Sequence, residues 1–146
     1  MKRFILLILI WSSWLQCHAP ESNSIPILEG NVVYIYGCNH FEYLFIRLES
    51  TFIEDATHPV TGASGILQIM PVMIEEVNRI CQIKGLNKRF RIIDSFDPHK
   101  SLEIFKIVQN YHNPHQDIDL ACQIWFGRGK DYKGENWEDY KNRLLK

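Results

Sequence analysis

Between His40 and Phe52 the chain carries apolar side chains at Phe41, Leu44, Phe45, Leu48 and Phe52, the positions i, i+3, i+4, i+7 and i+11. That spacing sets them on one face and predicts an amphipathic helix starting at His40. The pattern then breaks. "DATHPVTGASG" (Asp55–Gly65) is crowded with turn formers, and "ILQIMP" (Ile66–Pro71) resumes an apolar run with one amide, Gln68, inside it. Two short extended pieces around Gly62–Gly65 predict a small β-hairpin or a tight loop here.

A second helical pattern starts at Pro71, which suits a first helical position, and runs through Ile74, Val77, Ile80 and Cys81 to about Lys84. Gly85 is placed to end it. "LNKRFRIIDSFDP" (Leu86–Pro98) reads as a connecting loop. A third helix is expected from about Ser101 to Tyr111, burying Leu102, Phe105 and Val108, with a break at Pro114. A fourth spans about Ile118–Phe126 and ends in "GRGKDYKG", and a fifth spans about Trp137–Leu144. Upstream, "VVYIYG" (Val32–Gly37) predicts a brief strand or extended lead-in, and residues 20–32 form a polar linker. The expected fold class is α+β, mainly α-helical: one domain over residues 33–146, with a small β-hairpin or loop element beside the first helix.

The N-terminus has a different pattern. "MKRFILLILIWSSWLQCHAP" opens on Lys2 and Arg3, continues in an apolar run from Phe4 to Leu15, and turns small and polar. The run is short for a membrane-spanning helix and reads as a secretory signal peptide over residues 1–19. Ala19 is small enough to precede a cleavage site, while Pro20 hinders one there; "LQC" at Leu15–Cys17 offers a lipid attachment site instead. Cleavage without lipid, a lipid anchor and an uncleaved membrane anchor all remain open. Each exports the protein, to the periplasm or cell envelope.

Composition narrows the class. With 46% apolar and 12% aromatic residues in 146, the chain has ample material for a packed core. A formal net charge of −1 argues against nucleic acid as a partner. The dense basic patch Lys84, Lys88, Arg89 and Arg91 reads as a solvated loop or as an attraction for an anionic polymer. Removing the leader takes Cys17 from the four cysteines and leaves Cys38, Cys81 and Cys122, which read as buried thiols with room for one disulfide. There is no Cys-x-x-Cys pair and no His-Glu-x-x-His helix, so neither a metal nor another cofactor is expected.

Candidate chemistry centres on Glu49. It follows Leu48 of the apolar stripe, on the border between core and the turn-rich segment. A carboxyl flanked by apolar groups loses hydration, which favours its neutral form and raises its pKa. Such an acid can protonate a leaving oxygen, the step that glycosidic cleavage needs. Glycines at 62 and 65 let backbone approach a ligand closely, and Gln68 offers a donor and an acceptor to an amide-bearing sugar. Glu54 and Asp55 lie in a turn setting and read as surface residues.

The segment "ESTFIEDATHPVTGASGILQIMP" resembles the signature of the lytic transglycosylase family with a goose-type-lysozyme-like fold, in Glu49-Ser50, Phe52, Pro59, Gly62-Ala63, Gly65, Leu67, Gln68-Ile69 and Pro71. "DSFDPHKSLEI" (Asp94–Ile104) and "ACQIWFGRG" (Ala121–Gly129) are similar to later segments of that family, so the resemblance covers roughly Val33–Tyr140. It implies a lysozyme-like fold and a peptidoglycan lytic transglycosylase. Glu49 would be the single acid/base that cleaves the β-1,4 bond between N-acetylmuramic acid and N-acetylglucosamine and closes a 1,6-anhydro ring. His58, Ser64, Gly65, Gln68 and Trp125 would contact the glycan, Trp125 by stacking on a sugar or by a hydrogen bond to Glu49. Two positions depart from the family pattern: His58 stands for a serine, and Phe126, read as core filler, for an asparagine. Trp137 and Tyr140 read as packing residues. The rival readings are a hydrolytic muramidase on the same fold and a non-catalytic peptidoglycan-binding or assembly protein. The biological setting of wall cleavage stays open among growth, a secretion or conjugation apparatus, and a phage.

Overall fold

Capping residues decide where the helices begin. The computed structural model describes residues 35–127 and 133–146, so the leader, the linker, Cys17 and most of "GRGKDYKG" lie outside it. Five α-helices are described: α1 (His40–Glu49), α2 (Pro71–Ile83), α3 (Pro98–His112), α4 (Ile118–Phe126) and α5 (Trp137–Leu144). The protein is mainly helical. Asn39 caps α1 through a capping box in which its side chain accepts from the Glu42 N–H and the Glu42 carboxylate accepts from its own N–H, both at 2.9 Å. Gly85 ends α2 at φ 65°, and the Leu86 N–H reaches back to the Cys81 carbonyl at 2.8 Å.

Three boundaries differ from the sequence expectation. The stripe to Phe52 outruns its helix: α1 stops at Glu49, and Thr51 and Phe52 take φ values of 53° and 66°. Phe52 still packs on Tyr43, with ring centroids 5.3 Å apart, which is why its spacing looked helical. α3 begins at Pro98 rather than Ser101, because the Asp97 carboxylate caps the His99 and Lys100 N–H groups and proline fits the first turn. The expected loop Leu86–Pro98 contains a 3₁₀ helix, Ile92–Phe96, and the described end of "VVYIYG", Ile35–Gly37, is a 3₁₀ turn instead of a strand.

α3 is the hub. It packs on α2, on α4 and on the 3₁₀ helix, while α5 packs on α1 and α4. Phe105 of α3 meets Phe45 of α1 at 5.0 Å and Trp125 of α4 at 4.8 Å between ring centroids, so three helices share one aromatic centre. Leu102, Ile104, Val108, Ala121, Cys122 and Leu144 complete it, all nearly or wholly buried. Cys38, Cys81 and Cys122 are separate buried thiols, without the disulfide left open above.

The β element is minimal. Ser64 forms isolated antiparallel bridges with Thr57 on one side and Ile69 on the other. Gly65 (φ 76°) lies so close to the 3₁₀ helix that a Cβ there would stand 1.7 Å from the Ser95 carbonyl oxygen. Gly62 (φ 70°) faces open space. We therefore expect Gly65→Ala to lower stability by about 3 kcal/mol or more and Gly62→Ala by only about 1 kcal/mol, from backbone strain alone. Urea unfolding of both variants checks this, and equal midpoints would contradict it.

Candidate active site

Glu49 is the last residue of α1, where the peptide carbonyls of the helix end point outward and already disfavour a negative charge. The next residue anchors that end. The Ser50 hydroxyl donates to the Ile66 carbonyl at 2.8 Å, pinning the glycine-containing segment to the helix. Two further contacts bind α1 to α5: the Arg47 guanidinium donates to the Leu144 carbonyl at 2.9 Å, and the Tyr140 hydroxyl donates to Glu49 Oε1 at 2.5 Å.

Glu49 opens onto a cleft of about 420 Å³, whose wall also includes His58, Gln68, Met73, Trp125 and Phe126. Burial pushes its carboxyl up to about 7 from an ordinary 4.5, against the opposing pull of the Tyr140 hydroxyl and the Arg143 charge. Tyr140 is buried, and its own pKa is raised well above the usual phenol value by burial and by the adjacent carboxylate, so it remains a donor. Phe126 lies over Tyr140 at 5.1 Å between centroids. It is half-buried, packing against the core on one side and lining the cleft on the other, so the core-filler reading covers part of its role.

Of the six residues expected at the site, four meet in this cleft and two do not. Glu49, His58, Gln68 and Trp125 line it; Ser64 and Gly65 are absent from its wall. The Ser64 hydroxyl is buried and shares a hydrogen bond of 2.6 Å with Ser95, and Gly65 is packed against the Ser95 carbonyl. Both shape the segment from behind. Gln68 sits at φ 47° and donates its side-chain amide to the carbonyls of Gly65 (3.0 Å) and Ala56 (3.2 Å), so its Oε1 is the atom left to face a ligand. His58 Nδ1 accepts from the Val60 and Thr61 N–H groups, both at 3.3 Å, which puts the proton of a neutral ring on Nε2.

Trp125 corrects an expectation. Its Nε1–H donates to the Leu67 carbonyl at 3.2 Å and not to Glu49, and its ring is mostly buried edge-on to Phe105. The hydrogen bond to the acid comes from Tyr140, which sequence reading set aside as packing. One signal for it existed: Tyr140 shares the inward face of α5 with Leu144, and a phenol turned inward needs an acceptor. Glu135 is also in the cleft wall, bound to Arg143 at 2.7 Å. Glu54 and Asp55 are exposed, and Glu54 accepts from the Tyr36 hydroxyl. Among the described residues no group of three or more His, Cys, Asp or Glu side chains is arranged to hold a metal ion.

Comparison of the chain with protein-family models, with curated proteins and with solved structures finds no match in any of the three.

The raised pKa of Glu49 has a thermodynamic signature. Between the ordinary value of 4.5 and about 7 the folded protein holds a proton that the unfolded chain releases, so stability falls as pH rises through this window and is level on either side. Glu49→Gln removes that loss. The variant should exceed wild type by about 3 kcal/mol at pH 8 and by little at pH 4. Urea midpoints at the two pH values test this, and a glutamine variant no more stable at pH 8 than wild type would show that the carboxyl is not desolvated.

Proposed function

We propose that the protein is a peptidoglycan lytic transglycosylase of lysozyme-like architecture, using Glu49 as its one acid/base. The observation that carries the reading is the state of that carboxyl. It lies in a cleft, desolvated, with a pKa near 7, so protonated and ionised forms are both accessible near neutral pH. The chemistry needs both. Protonated Glu49 gives its proton to the oxygen bridging N-acetylmuramic acid and N-acetylglucosamine, and the C1–O bond breaks. The sugar's own acetamido group shares the positive charge left on C1. The carboxylate then takes the proton of the muramoyl 6-hydroxyl as O6 bonds to C1, closing the 1,6-anhydro ring and restoring the acid without water.

Supporting groups fall into place around that cycle. Gln68 Oε1 is available to an acetamido N–H, and His58 stands in the same cleft wall. Tyr140 holds the carboxyl in one orientation in both protonation states. The leader of residues 1–19 would deliver the enzyme to the periplasm or cell envelope, where the polymer is found. A hydrolytic muramidase is the second reading, favoured by Glu135, a second carboxylate in the cleft wall, although Arg143 engages it.

Mass spectrometry of purified peptidoglycan after digestion separates the readings. We expect anhydro-muropeptides from wild type and a loss of at least about 1000-fold in Glu49→Gln, since the variant has no proton to transfer. Reducing muropeptides would make the protein a muramidase, and no product from either protein would leave a glycan-binding role. The pH profile gives a second check. kcat/KM should fall tenfold per pH unit above about pH 7, as Glu49 ionises. Tyr140→Phe removes a donor to the carboxylate, so its alkaline limb should move to higher pH; a limb that moved down or stayed would contradict the role given to Tyr140.

A further inference from the structure

Residues 83–93, "IKGLNKRFRII", bring exposed apolar and basic side chains together in one short stretch. Half of the exposed large apolar side chains among the described residues are here: Ile83, Leu86, Ile92 and Ile93, at 56, 42, 39 and 57% exposure. Between them stand Lys84, Lys88, Arg89 and Arg91, with no acidic residue in the stretch, in a chain whose formal charge is −1 overall. Exposed isoleucines cost free energy in water, and their concentration beside cations calls for a partner.

The segment is held, not loose. The Leu86 N–H donates to the Cys81 carbonyl, and the Phe90 N–H and carbonyl make a reciprocal pair with the Asn78 side chain, both bonds at 2.8 Å. Phe90 itself turns inward and is buried. Pinned to α2 at these points, the segment presents the side chains flanking Phe90 to the outside. Lys88, Arg89, Arg91 and Lys100 border a shallow depression of about 320 Å³. The carboxylates facing it are those of Asp94, paired with Lys100, and Glu103, paired with Lys88. Lys84, Arg89 and Arg91 form no ion pair among the described residues, so the face has an excess of positive charge.

We propose that this face docks on an anionic lipid bilayer, with Ile92, Ile93, Leu86 and Ile83 entering the headgroup boundary and the lysines and arginines meeting lipid phosphates. Charge alone would suit any polyanion. The exposed isoleucines select the bilayer, because a soluble polyanion offers nothing apolar to cover them. No described helix is long and apolar enough to cross a membrane, so this is attachment to a surface, separate from any anchor that residues 1–19 supply. None of these residues lines the cleft of Glu49.

Flotation of the full chain with phosphatidylcholine vesicles and with phosphatidylcholine–phosphatidylglycerol vesicles tests the proposal, since the N-terminal apolar run is common to every variant and cancels. Arg89→Gln/Arg91→Gln should lower binding to the anionic vesicles roughly tenfold to thirtyfold, at about 1 kcal/mol per charge, and leave neutral vesicles unaffected. Ile92→Ser/Ile93→Ser should weaken binding to both. All four side chains are exposed, so urea midpoints should match wild type and confirm that folding is intact. Undiminished anionic binding by the arginine variant would overturn the proposal. So would wild-type binding by the isoleucine variant together with equal affinity for soluble polyphosphate, which would make the face a site for an anionic polymer.

Discussion

The hydrogen bond from Tyr140 to Glu49 joins side chains 91 positions apart in sequence and closes the structure on itself. α1 brings a carboxyl to its own C-terminal end, an unfavourable place for negative charge. α5, the last helix, supplies the donor that makes the position tolerable. The Arg47–Leu144 contact fixes the same two helices at a second point, with a cation on the carbonyls at the end of α5 where the helix dipole favours it. Two ties join the first and last helices, and α5 also packs on α4, whose Trp125 and Phe126 line the same cleft as the acid.

The opposite wall is built with little regular structure. Ser64 pairs with both Thr57 and Ile69, Ser50 grips Ile66 from the helix end, and Gln68 spans Gly65 and Ala56. Behind it, Gly65 and Ser64 rest on Ser95, whose own hydroxyl donates to the Ile92 carbonyl. A segment held by so many single bonds tolerates Gln68 at a positive φ because the surrounding contacts over-determine it.

How much of this was legible depends on whether the controlling interaction is local. α2, α4 and α5 could be read from spacing and from Pro71 and Gly85, since those signals act within one turn. α3 could have been read better, because Asp97-Pro98 is a cap followed by a first-turn proline. The end of α1 could not: Phe52 keeps the helical spacing while its backbone has already turned left-handed. Glu49, His58, Gln68 and Trp125, grouped by the resemblance more than by pattern, line one cleft, while Ser64 and Gly65, expected beside them, rest on Ser95 instead. Tyr140 was missed, since a tyrosine at helical spacing looks the same whether it fills space or bonds a distant acid.

Burial of one carboxyl is the feature on which the site turns. The proposed cycle asks that carboxyl to give and then recover a proton, which calls for a pKa near the working pH, and burial is the strongest influence lifting Glu49 toward it. Three polar groups of the cleft wall are engaged by the backbone: the Trp125 indole donates to Leu67, the Gln68 side-chain N–H groups to two carbonyls, and His58 Nδ1 accepts from two N–H groups. Phe126 extends the same logic. A polar residue at that position could compete for Glu49 or admit water to Tyr140; a phenyl ring does neither. The aromatic at 126 thus fits the proposed acid chemistry, and among the described residues the hydrogen-bond donor to the carboxyl is the phenol that also ties the last helix to the first.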